Sequence, residues 1–338
     1  MKVLHTILTV ITFASLPDKT FQKLVSSTPE ETINNILTEY PVLDGHNDLP
    51  YVIRECLSNT IYDGRYNFST DLSTNKQPWQ TENCRFPNVQ TDYTRIKKGH
   101  LGAQLWSVYV DCNTQYKDSI RQTVEQIDLV KRLTKDNGDF MEFCGDSDCV
   151  RNAWENGKFA SLIGMEGGHS IDSSMAMIRL YHKLGVRYMS LTHFCNTPWA
   201  DHSSQDDTVI GLPDKIGGLT EFGKKVVLEM NRVGIIVDLA HVNAQVMRDA
   251  LEISKTSVIF SHSNSAAVFN NSRNAPDDVL MMLKQNNGVI MVNFVGYFLQ
   301  EDYMNANMDK VAEHITYSAF KGIVPLLWRS TFIILTDF

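Results

Sequence analysis

Short apolar runs that end in polar, chemically capable residues recur along the chain. Residues 41–46 (PVLDGH), 103–110 (AQLWSVYV) and 159–166 (FASLIGME) are the first three. The others are 186–193 (VRYMSLTH), 234–241 (GIIVDLAH), 257–262 (SVIFSH) and 288–294 (GVIMVNF). Several are apolar at successive positions, as strands buried on both faces are. Most of the stretches between them carry helical spacing. In 119–133 (SIRQTVEQIDLVKRL), Ile120, Val124, Ile127 and Val130 fall about a turn apart. Residues 174–184, 219–233 and 244–254 read the same way. Strands alternating with helices predict βα units and a parallel sheet, so the chain is of the α/β class. A (β/α)8 barrel needs eight strands. Seven runs precede residue 295, and only 331–335, inside the apolar tail 321–338, offers an eighth, with no helix after it. The pattern predicts a TIM barrel incomplete at its last βα unit.

The start of the chain has a different character. Lys2 precedes an apolar stretch over 3–14, and small residues Ala14 and Ser15 stand before Leu16, Pro17 and Asp18. One positive charge, a short apolar core and a small-residue exit predict a secretory signal peptide over 1–15, too short to span a bilayer. A secreted, extracellular protein is the expectation. Two sequons, at Asn67 and Asn270, fit glycosylation on that route. Six cysteines (56, 84, 112, 144, 149 and 195) make an even number in an oxidising context, which points to structural disulfides. Spacing does not assign their pairs. The net charge of −8 gives no reason to expect nucleic acid as a partner.

Chemistry enters through the ends of the runs. His46 and Asp48 close the first, Glu166 the third, His193 the fourth, His241 the fifth and His262 the sixth. In a βα barrel those ends share one rim, where the active site lies. Imidazoles with carboxylates are the ligand set for borderline divalent ions, zinc above all. His46 and Asp48, two apart on an extended strand end, point the same way. A lone HxD is weak; the recurrence of ligands at strand ends carries the reading.

Residues 44–50 (DGHNDLP), 161–174 (SLIGMEGGHSIDSS), 191–201 (LTHFCNTPWAD), 237–242 (VDLAHV), 259–263 (IFSHS) and 272–279 (SRNAPDDV) resemble the signature blocks of the membrane dipeptidase family. They come in the family's order, within a resemblance running from about residue 38 to about 315. The resemblance implies a distorted TIM barrel of the metal-dependent amidohydrolase type. It also implies zinc-dependent hydrolysis of dipeptides by a water bridging two zinc ions. His46 and Asp48 would then hold one zinc, His241 and His262 the other, with Glu166 bridging. His193 would bind substrate and steady the oxyanion, and Arg273 would receive the dipeptide's carboxylate. Cys112 and Cys195 match a disulfide-forming pair. Phe269 stands where the first cysteine of a second pair is expected, so Cys56, Cys84, Cys144 and Cys149 stay unassigned.

The barrel is expected over 30–320. Past residue 315 the family's glycine- and aspartate-rich block, with its acid/base aspartate, has only a faint echo in Asp337. The alternative function is therefore a catalytically inactive secreted homologue that binds metal or peptide. The tail lacks the small-residue site and polar spacer of a lipid-anchor signal, so membrane attachment is not expected. A homodimer is compatible with the family. His5 falls in the signal segment, and His100, His182 and His202 read as surface groups. His314 lies in a late helical stretch, His169 reads as a loop residue behind the site, and Asp238 is either structural or orients a ligand histidine.

Overall fold

Eight strands, all paired in parallel, make one sheet that bends around a shared interior. The structure is a computed structural model describing residues 28–72, 74, 79, 84, 86, 89, 91–203 and 216–322. The expected signal segment 1–15, most of the tail 321–338, the tail strand at 331–335 and Asp337 lie outside the described residues.

In chain order the elements are α1 (Pro29–Glu39), β1 (Val42–Asn47), α2 (Leu49–Leu57), α3 (Tyr93–Lys98), β2 (Leu101–Tyr109) and α4 (Ser119–Asp136). Next come β3 (Met141–Phe143), α5 (Ser147–Glu155), β4 (Phe159–Glu166), α6 (Met175–Leu184), β5 (Val186–Ser190) and α7 (Glu221–Val233). Then follow β6 (Ile236–Asp238), α8 (Ala244–Ile253), β7 (Ile259–Phe260), α9 (Asp277–Gln285), β8 (Val289–Ile290) and α10 (Met308–Phe320). The wall runs β1-β2-β4-β5-β6-β7-β8, with β3 beside the start of β4. This is the (β/α)8 type of fold, a curled half-barrel with flanking helices. Among the described residues no ladder joins β8 to β1.

Each of the seven apolar runs contributes a wall strand. Every residue of β4 is buried, as a strand sandwiched between the barrel interior and its helices must be. Helix starts are set locally: Thr220 accepts from the Gly223 amide and Asn243 from the Val246 amide, satisfying donors the helix leaves open. The apolar stripes then dock on the sheet, with Ile127, Val130 and Leu133 from α4, Val226, Val227 and Met230 from α7, and Val279, Leu280 and Leu283 from α9. Each such side chain contributes about 1.5–3 kcal/mol on burial.

The curl brings the first strand to the last. A Cβ on Gly45 of β1 would sit 2.3 Å from Met291 Sδ and 2.6 Å from the Ser261 carbonyl. Only glycine lets β1 approach that closely, and the approach carries His46 towards His262.

Some expectations need correction. β3 was not among the seven runs, because three residues carry no period. His202 was read as a surface group but is buried, its backbone bridged to Val242 and its amide bonded to Asn196 Oδ1 at 2.9 Å. The cysteines pair as 56–84, 112–195 and 144–149. Among the described residues no helix is long and apolar enough to cross a membrane.

Candidate metal centre

His46 lies on β1, and Asp48 follows at the N-cap of α2, where its carboxylate makes no cap bond and stays free for the site. Glu166 is the last residue of β4. His193, His241 and His262 sit two or three residues beyond β5, β6 and β7, on the loops rather than the strands. Fold curvature brings all six side chains to one rim.

Glu166 is the centre of the cluster and divides it. Its Oε2 faces His46 Nε2 at 3.5 Å, and that nitrogen lies 3.2 Å from Asp48 Oδ1. Its Oε1 faces His241 Nε2 at 2.9 Å, His262 Nε2 at 3.4 Å and His193 Nε2 at 3.7 Å. His241 Nε2 and His262 Nε2 are 2.9 Å apart. Ligands at 2.0–2.2 Å from a tetrahedral ion stand about 3.3–3.6 Å from one another. The separations, 2.9–3.7 Å, straddle that spacing, and the donors form two groups that share Glu166, one with His46 and His262 and one with His193 and His241, each close enough to hold an ion.

The electrostatics point the same way. Burial holds His193, His241 and His262 well below the usual imidazole range, with neighbouring imidazoles and Arg273 pushing in the same direction. They are neutral bases, the state a metal requires. His46 is the exception. Burial disfavours its charge, but Glu166 and Asp48 outweigh that and push it up to about 10. Burial raises Glu166 to about 7, against the pull of His46. The carboxylates of Glu166 and Asp48 thus favour a positive charge at the His46 side of the cluster.

Local backbone supports the arrangement. His241 adopts φ +70°, a conformation costly for a non-glycine residue. Its carbonyl is fixed by the Ser203 amide at 2.7 Å and Thr192 Oγ1 at 3.1 Å. Glu166 also accepts from Ser107 Oγ at 3.1 Å. Beneath the site, Tyr188 bonds His46 Nδ1 at 3.2 Å, and Ser261 bonds His262 Nδ1 at 2.8 Å and Asp238 Oδ2 at 2.6 Å. Nothing in the sequence singles out Ser107, Tyr188 or Ser261. Each sits in an apolar run with no feature distinguishing it from an ordinary strand residue.

A cavity of about 980 Å³ opens over the cluster, walled by Tyr51, Phe86, Tyr109, Phe194, Phe294 and Phe298. Arg273 lies at its edge with 2% of its surface exposed. Its guanidinium packs 5.2 Å from the Phe298 ring and makes only long bonds, 3.5 Å to Ser263 Oγ and 3.4 Å to the His262 carbonyl. Its Nε has no partner among the described residues. Burial lowers it from the usual guanidinium range to about 10.

The other residues singled out fall elsewhere. His169 approaches Cys112 and Cys195 closely enough to suggest three metal donors, but those sulfurs form a disulfide and are not thiolates. The ring of His169 bonds the Val110 carbonyl at 2.9 Å, behind the cluster. Asn67 and Asn270 are exposed.

A profile of membrane dipeptidases, peptidase family M19, matches residues 30–321. Three solved structures share the fold. A metallo peptidase from Rhodobacter sphaeroides, liganded with a phosphinate mimic of the dipeptide L-Ala-D-Ala, is 21% identical, with 83% of this chain and 82% of that one covered at a TM-score of 0.67. Dipeptidase AC, a metallo peptidase of family M19, is 23% identical, with 83% and 81% covered at 0.64. The probable dipeptidase PvdM from Pseudomonas aeruginosa is 18% identical, with 92% and 71% covered at 0.64.

Proposed function

The chain belongs to the membrane dipeptidase family, and from that premise we propose that it hydrolyses dipeptides using two zinc ions. His46 and Asp48 would hold one ion, His241 and His262 the other, with Glu166 shared between them. The observation that carries this is the division of Glu166, with one carboxylate oxygen facing each ligand set. When bound, such a metal pair supplies a water acidic enough to act as nucleophile near neutral pH and polarises the scissile carbonyl.

The chain's own residues do the rest. His193, neutral and on the Oε1 side of Glu166, can donate an N–H to the oxygen that gains charge at the scissile carbon. Arg273 is a desolvated fork with unfilled donors, matched to a free α-carboxylate in shape and charge. The aromatic walls offer apolar contact to two small side chains. A phosphinate mimic of L-Ala-D-Ala in the Rhodobacter relative supports a dipeptide as the ligand class.

The unit that does this spans 30–320, followed by the tail 321–338. The signal segment 1–15 would send it out of the cell, with sugars on the exposed Asn67 and Asn270. The test is hydrolysis of glycine-containing dipeptides by the zinc-loaded chain. Turnover that disappears on chelation and returns with zinc supports the proposal. A folded chain with two zinc ions and no turnover supports the inactive metal-binding alternative instead.

A further inference from the structure

Under the two ligand sets lies a buried chain of hydrogen bonds that the hydrolytic chemistry leaves unused. Asp238, 1% exposed at the end of β6, accepts from the Ser261 amide at 2.8 Å, the Ala240 amide at 3.1 Å and Ser261 Oγ at 2.6 Å. Ser261 Oγ also lies 2.8 Å from His262 Nδ1. A hydroxyl has one proton and two lone pairs. Committing that proton to Asp238 leaves Ser261 to accept from His262 Nδ1–H. The Nε2 lone pair of His262 then points at the site.

Tyr188 extends the chain to the other ligand set. Its hydroxyl is 3.2 Å from His46 Nδ1, and the Ser261 side chain is near enough to act on it. If Tyr188 donates to the second lone pair of Ser261, it accepts from His46 Nδ1–H, and the His46 Nε2 lone pair also faces the site. In that arrangement every proton is directed towards Asp238. The barrel is built around this arrangement: Tyr188 is fully buried, and a Cβ on Gly164 would lie 2.0 Å from its Cζ.

We propose that Tyr188, Ser261 and Asp238 are positioning residues that fix the tautomer of one histidine in each ligand set, His46 and His262, and so couple the two metal sites. The inference rests on the reading of the cluster as a metal centre. Partners of this kind beneath metal-bound histidines typically change affinity by about 10–100-fold.

The test compares wild type, Tyr188→Phe, Ser261→Ala and the double variant. Affinity for Zn2+ is measured by chelator competition, Co2+ absorption reports ligand geometry, and melting is followed on metal-free protein. Tyr188→Phe keeps the ring that Gly164 accommodates and removes one hydroxyl. The expected result is Zn2+ binding weaker by about 10–100-fold in each single variant, with an altered Co2+ spectrum and little change in metal-free melting. The double variant should lose less than the two single losses combined, because the residues act as one network. If wild type takes up two Zn2+ and Tyr188→Phe binds them with unchanged affinity and spectrum, the coupling is overturned while the metal centre stands. Lower metal-free stability with unaltered affinity would also overturn it, as a structural role alone. Folded wild type that binds no Zn2+ would overturn both.

Discussion

Replacing Arg273 with methionine should weaken dipeptide binding while leaving the free protein no less stable. Burial lowers the guanidinium from its ordinary range to about 10. At 1.36 kcal/mol per unit, that shift corresponds to roughly 3 kcal/mol opposing the charge in the folded state. The folded value lies below the unfolded one, so this penalty is at full strength below about pH 10 and fades as pH rises above it. Methionine removes the penalty and keeps apolar contact with Phe298, at the cost of some packing. Unfolding of the variant should therefore need at least as much denaturant as wild type at pH 7. Binding should move the other way, since truncating one partner of a buried charged pair costs about 2–5 kcal/mol, roughly 30-fold or more in KM. The assay is kcat/KM for a dipeptide and for its C-terminal amide. Wild type should prefer the free acid strongly, and Arg273→Met should lose that preference with little change towards the amide. Retained acid preference would refute the reasoning. A large loss of stability would also refute it, by making Arg273 a structural brace.

Gly164→Ala would place a Cβ 2.0 Å from the buried Tyr188 ring. Overpacking of this kind costs about 1–3 kcal/mol, and the rigid ring should put this variant at or above the upper end in chemical denaturation. Wild-type stability would show that the ring is not fixed there. Cys112–Cys195 spans 83 residues, a loop for which chain entropy sets a stabilisation of about 4.5 kcal/mol, against about 2 kcal/mol for the five-residue Cys144–Cys149 span. Paired alanine variants should rank in that order in denaturant midpoint, and the reverse order would count against loop entropy as the cause. The folded pKa of His46, about 10, exceeds its ordinary 6.5. Its contribution to the metal-free protein is thus complete below pH 6.5 and lost as pH rises through 10. Zinc would take the same nitrogen, so binding at pH 7.5 should release a proton and tighten with rising pH. Calorimetry in two buffers of different ionisation heat would detect that release; its absence would contradict the role given to His46.

The legible parts of the sequence were those where polarity breaks a pattern. His46, Glu166, His241 and His262 stood out because each ends an apolar run, and the barrel's connectivity makes those ends neighbours. The later strands, β5 to β8, proved shorter than their runs: β6 covers only Ile236–Asp238, and His241 lies past it on a strained loop. Tyr188 was not legible, because in a strand buried on both sides the period of two carries no polar signal, and aromatic residues are ordinary there. Its role depends on Gly164 in the neighbouring strand. Ser261 and Ser107 were hidden for the same reason. His202 misled because its sequence surroundings are polar, whereas the chain folds its backbone against Val242. Cys56 of α2 pairs with Cys84, a partner that spacing does not encode.

The central claim is that Glu166 is shared between two cations. Crystals soaked in zinc and measured at its absorption edge would test it most directly. Two anomalous peaks are expected, one bounded by His46, Asp48 and Glu166 Oε2, the other by His241, His262 and Glu166 Oε1. A single peak away from Glu166, or no peak over an ordered and intact cluster, would contradict the claim.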